Sequence, residues 1–244
     1  MIAGRDPLPY RAGRHADPRI AARVHAALGD AHSVLHVSAG TGIYEPEGRA
    51  LVAVEADERL RAARPEASAP VINAQPDRLP FEDDSFDASM SCLAADRWED
   101  PFAVLREMRR VTTGPVVVLT FDFPHLVAWQ KDYFAPLVAL ERAATPTPAE
   151  MAPALGRRTR IDALRTPIDC EDGFMDAYWA RPEAFLDDAV RAAQPVWAQA
   201  GAATTEPIID RLRADLGSGH WYGQHGHLRS HPDFDGALRL VVAG

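Results

Sequence analysis

A short turn of small residues, Val37-Ser38-Ala39-Gly40-Thr41-Gly42, directly follows an apolar run beginning at Ser33. Glycine lacks the Cβ that would block a close approach, so such a turn offers its backbone N–H groups to a ligand. A second apolar run, Leu51 to Val54, ends in Glu55. A carboxylate there can accept hydrogen bonds from ribose hydroxyls. Glu55 lies only 13 positions after Gly42, against roughly 20 in a dinucleotide fingerprint, and no further glycine stands at Glu45. A nicotinamide dinucleotide is thereby disfavoured, and a compact adenosine-type ligand fits better.

The elements that must position these residues follow from periodicity. Ile20, Val24 and Leu28 share one face of a helix over 18–28, started by Asp17-Pro18 and stopped by Gly29-Asp30. Strands are expected at 33–37, 51–55, 71–74, 86–91 and 116–121. A helix over 100–111 carries Val104, Met108 and Val111 on one face. Strands alternating with helices predict an α/β fold, a Rossmann-like, doubly wound and mainly parallel sheet. In the second half, strands are expected at 161–165 and 238–242, the last closing the sheet as an antiparallel partner. The chain is read as one domain: a core over 1–122, a helical substrate cap over 123–205, and a C-terminal helix, loop and strand over 206–244.

Four segments in order carry a resemblance. Val34-Leu35-His36-Val37-Ser38-Ala39-Gly40-Thr41-Gly42 comes first, then Leu51-Val52-Ala53-Val54-Glu55. Leu79-Pro80-Phe81-x-Asp83-x-Ser85-Phe86-Asp87 and Leu105-Arg106-Glu107-Met108-Arg109-Arg110-Val111 follow. Over about residues 10 to 122 the chain resembles class I S-adenosyl-L-methionine (SAM)-dependent methyltransferases, in the branch related to ubiquinone and menaquinone biosynthesis. The resemblance implies SAM as cofactor and a small-molecule methyl acceptor. It places Ala39, Gly40 and Gly42 along the methionine end of the cofactor and Glu55, with Ala56 beside it, on the ribose. Gln75, flanked by Pro76, stands where the family has an acid facing the adenine. Ser91, Cys92 and Leu93 would line the sulfonium. Tyr10 and Arg14 match an N-terminal element that reaches the cofactor carboxylate, where the planar fork of arginine is apt.

The chain departs from that pattern at named places. The family's acid in the first strand is His36, its first glycine is Ser38, and Gln75 replaces a charge with an amide. Residues 43–50, interrupted by Pro46 and Gly48, leave little room for a first crossover helix. These departures admit an alternative, a methyltransferase-like cyclase, isomerase or ligand-binding partner that moves no methyl group. Asp96 and His125 are the candidates for deprotonating an acceptor, Asp96 being equally apt as a helix N-cap. Trp129, Tyr133, Phe134, Tyr178, Trp179, Phe185 and Trp197 either pack a helical layer or line an apolar substrate pocket. His220, His225, His227 and His231 lie among glycines in a loop-like stretch and are not read as a metal site.

Composition bounds the partners. The 244 residues are 47% hydrophobic with a net charge of -9, which suits a globular chain and disfavours phosphate backbones, so no nucleic acid partner is expected. Cys92 and Cys170 are far apart and form neither a disulfide framework nor a zinc ribbon. Residues 1–19 are polar, unlike a signal peptide, and no apolar run is long enough for a membrane span. A cytoplasmic protein, monomeric or homodimeric, is expected. Lys131 as the single lysine among many arginines hints at a bacterial, G+C-rich source.

Overall fold

The computed structural model describes residues 13–156 and 158–244, and Tyr10 lies outside them. Two compact units emerge. One comprises Pro18–Phe121, Ala144–Ala163 and Arg239–Gly244, and the other runs through Asp17, Asp122–Ala143 and Leu164–Leu238.

The first unit opens with α1 (Pro18–Ala27), which buries Ile20 and Val24. The helix stops before Gly29, whose φ of +59° a residue with a Cβ adopts at a cost. Arg49 donates to the carbonyls of Ala31 (2.7 Å) and Gly29 (2.9 Å) just past its end. Then come β1 (Ser33–Val37), β2 (Ala50–Val54), α2 (Glu58–Ala62), β3 (Val71–Ile72), β4 (Ala88–Cys92), α3 (Pro101–Arg110) and β5 (Val116–Phe121). These strands and two from the second half, β6 (Thr159–Ala163) and β9 (Leu238–Ala243), form a seven-stranded sheet in the order β3-β2-β1-β4-β5-β9-β6. β1 pairs in parallel with β2 and β4, with His36 opposite Ala53 and Met90. Parallel strands are covered on both faces, so β1 is apolar almost throughout and His36 is its one polar interior residue. β1 and β5 match expectation, and the other strands of this sheet differ from it by one or two residues at their ends. Phe86, expected inside β4, makes only an isolated bridge to Thr112, and β3 stops at Ile72.

No helix forms in residues 38–49, as the Pro46 and Gly48 interruptions predict. β1 instead crosses to β2 through successive tight turns, closed by Gly42 N–H to Ala39 C=O (2.9 Å) and Glu45 N–H to Gly42 C=O (3.2 Å). α3 starts where Asp100 accepts from the N–H groups of Phe102 (3.0 Å) and Ala103 (2.9 Å), with Pro101 in its first turn. It lays Val104, Leu105 and Met108 into a core shared with Leu35, Val116 and Val241. α6 (Pro148–Leu155) adds Met151 and Leu155 to that core. β9 (Leu238–Ala243) then runs antiparallel to β6 (Thr159–Ala163), the expected closing strand.

The second unit contains α4 (Ala128–Tyr133), α5 (Ala135–Ala144), α7 (Asp188–Ala192), α8 (Pro195–Ala200), α9 (Ala202–Gly217), α10 (His220–His225) and a β7 (Thr166–Pro167)–β8 (Asp233–Phe234) ladder. Its aromatic residues pack on one another. Trp129 meets Phe134, Phe185 and Trp221 edge to face at 5.5 to 6.0 Å, and all four are fully buried. The indole of Trp129 donates to Trp179 C=O at 2.7 Å. Of the two roles open to these aromatics, most serve as core. Among the described residues no helix is long and apolar enough to cross a membrane.

Leu105 is fully buried, so Leu105→Ala should lower the unfolding free energy by about 3 kcal/mol. Asp100→Ala, which removes only a cap, should cost about 1 kcal/mol. Denaturant melts of the two variants against the unmodified chain measure both, and equal losses would contradict this packing.

Candidate functional site

The chemistry gathers at the carboxyl ends of β1 and β2. Past Val37 the backbone turns left-handed at Ser38 (φ +53°), Gly40 (+56°) and Gly42 (+87°). Glycine adopts such values freely, whereas Ser38 carries a Cβ and incurs a cost of about 1 kcal/mol. Two neighbours offset it. The indole N–H of Trp98 donates to Ser38 Oγ (2.9 Å), and Arg97 Nη2 donates to Ser38 C=O (2.7 Å). A serine in the first glycine position is therefore held in place from the segment after β4.

Glu55 is the first residue beyond β2 and is 3% exposed. Its Oε2 accepts from the N–H of Gly40 at 2.7 Å, and its Oε1 from the N–H of Asp57 at 3.1 Å. The guanidinium of Arg97 sits over both oxygens, Nη1 lying 3.2 Å from Oε1 and 3.1 Å from Oε2. Arg61 Nη1 also donates to the carbonyls of Glu55 (2.8 Å) and Ala56 (2.7 Å), fixing the chain as it leaves the strand.

A second charged group secures the glycine turn. Arg64, 4% exposed at its side chain, donates to Gly40 C=O (3.2 Å), to Ala69 C=O (3.2 Å) and to Glu45 Oε1 (2.5 Å). The other oxygen of Glu45 accepts from Ala69 N–H at 3.2 Å, and His36 Nδ1 faces Oε1 at 3.4 Å. A Cβ on Gly42 would come within 3.1 Å of Glu45 Oε2, so with another residue there this carboxylate would have to shift. Burial pushes the Glu45 carboxyl up, but bonds and charge from His36 and Arg64 outweigh it and hold the pKa below its ordinary 4.5. The acid that the family keeps in the first strand is absent at His36, and a carboxylate reaches the same imidazole from the loop.

Other expected site residues have more ordinary surroundings. Asp96 lies in a 3-10 turn, Ala95–Arg97, and is half-buried; the N-cap role considered for it is filled by Asp100. His125 is in the second unit, half exposed, with Nδ1 3.0 Å from Asp122 Oδ2. The fork of Arg14, apt for a carboxylate, is engaged by Asp172 through both Nε and Nη2. Gln75 is exposed and its carbonyl accepts from Arg78 N–H (3.2 Å), with Pro76 half-buried beside it. Cys92 ends β4, and Leu93 just beyond it is left-handed at φ +51°. Burial pushes the thiol of Cys170 up to about 12, which keeps it protonated and inert.

The residues suit an adenosyl ligand. Besides the left-handed glycines and the acid after β2, the buried atoms Thr41 Oγ1, Ser91 Oγ and His36 Nε2 have no hydrogen-bond partner among the described residues. Buried polar groups are nearly always paired, so the orphaned Thr41 Oγ1 inside the turn fits a site built for a polar molecule. Sequence reasoning missed Glu45, Arg64, Arg97 and Trp98. Trp98, an aromatic outside any apolar period, carried the one visible signal.

Glu45→Gln should lower stability at pH 7 by about 2 kcal/mol, because Arg64 then loses a charged partner in a buried place. The folded-state pKa of Glu45 lies below the unfolded one. Its contribution is thus whole above the unfolded value and is lost as pH falls through the depressed folded value. Denaturant titrations at pH 7 and pH 3.5 check this: the gap between variant and unmodified chain should narrow at the lower pH, and a constant gap would refute it.

Comparison with known proteins agrees with this geometry. Residues 35–115 match the family model described as a methyltransferase domain. A demethylmenaquinone methyltransferase of Mycolicibacterium paratuberculosis (strain ATCC BAA-968 / K-10) is 35% identical over 112 residues, 43% of this chain and 49% of the relative, so the chain matches about half of that protein's length. Among solved structures, a protein of Anabaena variabilis ATCC 29413, assigned as a methyltransferase from an antibiotic biosynthesis pathway, superposes with a TM-score of 0.87. It is 26% identical, over 95% of this chain and 99% of that one. A SAM-dependent methyltransferase of Thermotoga maritima gives a TM-score of 0.55 at 14% identity, over 96% and 90% of the two chains, and shows the fold alone. Glycine turn, acid after β2, sheet order and these matches converge: the chain has the class I methyltransferase fold and resembles a methyltransferase domain over residues 35–115.

Proposed function

We propose that this chain transfers a methyl group from SAM to a small-molecule acceptor, with the cofactor held between the Ser38–Gly42 turn and Glu55. The observation that carries the reading is the 2.7 Å bond from Gly40 N–H to Glu55 Oε2, which joins turn and acid into one site. SAM supplies a methyl group on a sulfonium, already electrophilic, so the protein's share is alignment and exclusion of water. Gly40 and Gly42 let the backbone come close, and Glu55 orients the ribose. Thr41 Oγ1 and Ser91 Oγ, buried and unpaired, are polar contacts for the same molecule.

For an acceptor that must lose a proton, the candidates are Asp96 and, in the second unit, His125. Asp122 holds its Nδ1, which leaves Nε2 to take the proton. A small-molecule acceptor is supported by the net charge of -9, which repels nucleic acid, and by the antibiotic-pathway assignment of the Anabaena protein. The match to the demethylmenaquinone enzyme covers less than half of this chain and leaves the choice of acceptor to the remainder.

Calorimetric titration with S-adenosylhomocysteine tests the reading. The unmodified chain should bind it, and Glu55→Ala should raise Kd by about tenfold or more, the loss of hydrogen bonds to a charged acceptor. No heat of binding at millimolar ligand would sink the proposal. The non-methylating alternative rests on His36, Ser38 and Gln75; release of S-adenosylhomocysteine from SAM in the presence of any acceptor excludes it.

A further inference from the structure

The four acceptor positions of the Glu55 carboxylate are all taken. Each oxygen has two lone-pair directions. Oε2 receives Gly40 N–H and Arg97 Nη1, and Oε1 receives Asp57 N–H and the same Nη1. A ribose diol held by this carboxylate needs two of those positions. The backbone donors cannot leave. Gly40 is fixed by the turn, and Asp57 is the N-cap of α2, accepting from Arg59 N–H at 2.9 Å. Arg97 can leave, because it is a side chain on rotatable bonds and is 22% exposed against 3% for Glu55.

The same guanidinium covers the approach to the turn. Its Nη2 donates to Ser38 C=O and stands 4.0 Å from where a Cβ on Gly40 would be. Arg97 thus bridges the end of β1 and the end of β2 along the face that Gly40 keeps open.

We propose that Arg97 is a latch on the cofactor site: it occupies the ribose-binding face of Glu55 and must swing away before an adenosyl ligand can bind. This rests on the adenosyl-binding reading above. The latch lowers apparent affinity by the fraction of molecules in which it is open. Removing it costs the ligand-free protein an ion pair and spares the ligand the work of breaking one. Arg97 then sets how much SAM the protein requires, separately from the residues that hold the cofactor.

Calorimetric titration of S-adenosylhomocysteine into the unmodified chain, Arg97→Ala and Arg97→Gln decides the matter. Arg97→Gln keeps the aliphatic stem and removes the charge, so it serves if the alanine variant folds poorly. The expected result is Kd about tenfold tighter in both variants, with a lower ligand-free Tm and a larger ligand-induced rise in Tm. Equal or weaker binding by the variants, with the unmodified chain binding, would overturn the latch and leave the methyltransferase reading standing. Absence of binding by all three proteins at millimolar ligand would overturn both.

Discussion

The buried carboxylate of Glu55 accepts the amide of Gly40 from one strand end and the amide of Asp57 from its own. A carboxylate at 3% exposure is tolerable only when its lone pairs are met, so the turn after β1 and the exit from β2 must keep their relative positions. Register supplies that constraint: Val37 stands opposite Val54, which puts Ser38 and Glu55 side by side. The core beneath, with Leu35, Leu105 and Met108 fully buried, holds the strands that carry both ends. A slip of one residue would turn Glu55 away from the turn and send its side chain to the other face of the sheet.

The negative charge beside the turn comes from the loop and not from β1. His36 cannot supply a fixed negative charge from β1. Glu45 supplies one from the loop that replaces a crossover helix, and Arg64 balances it. A helix over residues 43–50 would carry Glu45 on a rigid cylinder, whereas the tight-turn crossover folds it back beneath Gly42. The absence of a crossover helix is what lets Glu45 fold back against Gly42 and face His36.

Glu55, Gly40 and Gly42 were legible in the sequence because their requirements are local: a positive φ in a turn, and an acid at the end of an apolar run. The parallel sheet was legible for a similar reason, since runs such as Val116–Phe121 have to be buried on both faces. Arg97 and Arg64 were not. Their partners lie 42 and 19 residues away, and an arginine in an acidic chain reads as a solvated surface residue. Nor could sequence decide between core and pocket for the aromatics. Trp129 and Phe134 suit either, and only the edge-to-face contacts with Phe185 and Trp221 assign them to packing.

Sheet order explains why the strained and unpaired groups collect in one place. From β1 the chain winds outward to β2 and β3, then returns to lay β4 and β5 on the other side. The reversal leaves a crevice at the carboxyl ends of β1 and β4, where open α/β sheets bind ligands. Ser38 follows β1 and Leu93 follows β4, and both are held left-handed without being glycine. Backbone strain of this kind persists where surrounding bonds enforce it. At Ser38 those bonds come from Arg97 and Trp98, the segment that follows β4. The two strand ends flanking the crevice are therefore coupled through the residue that covers Glu55.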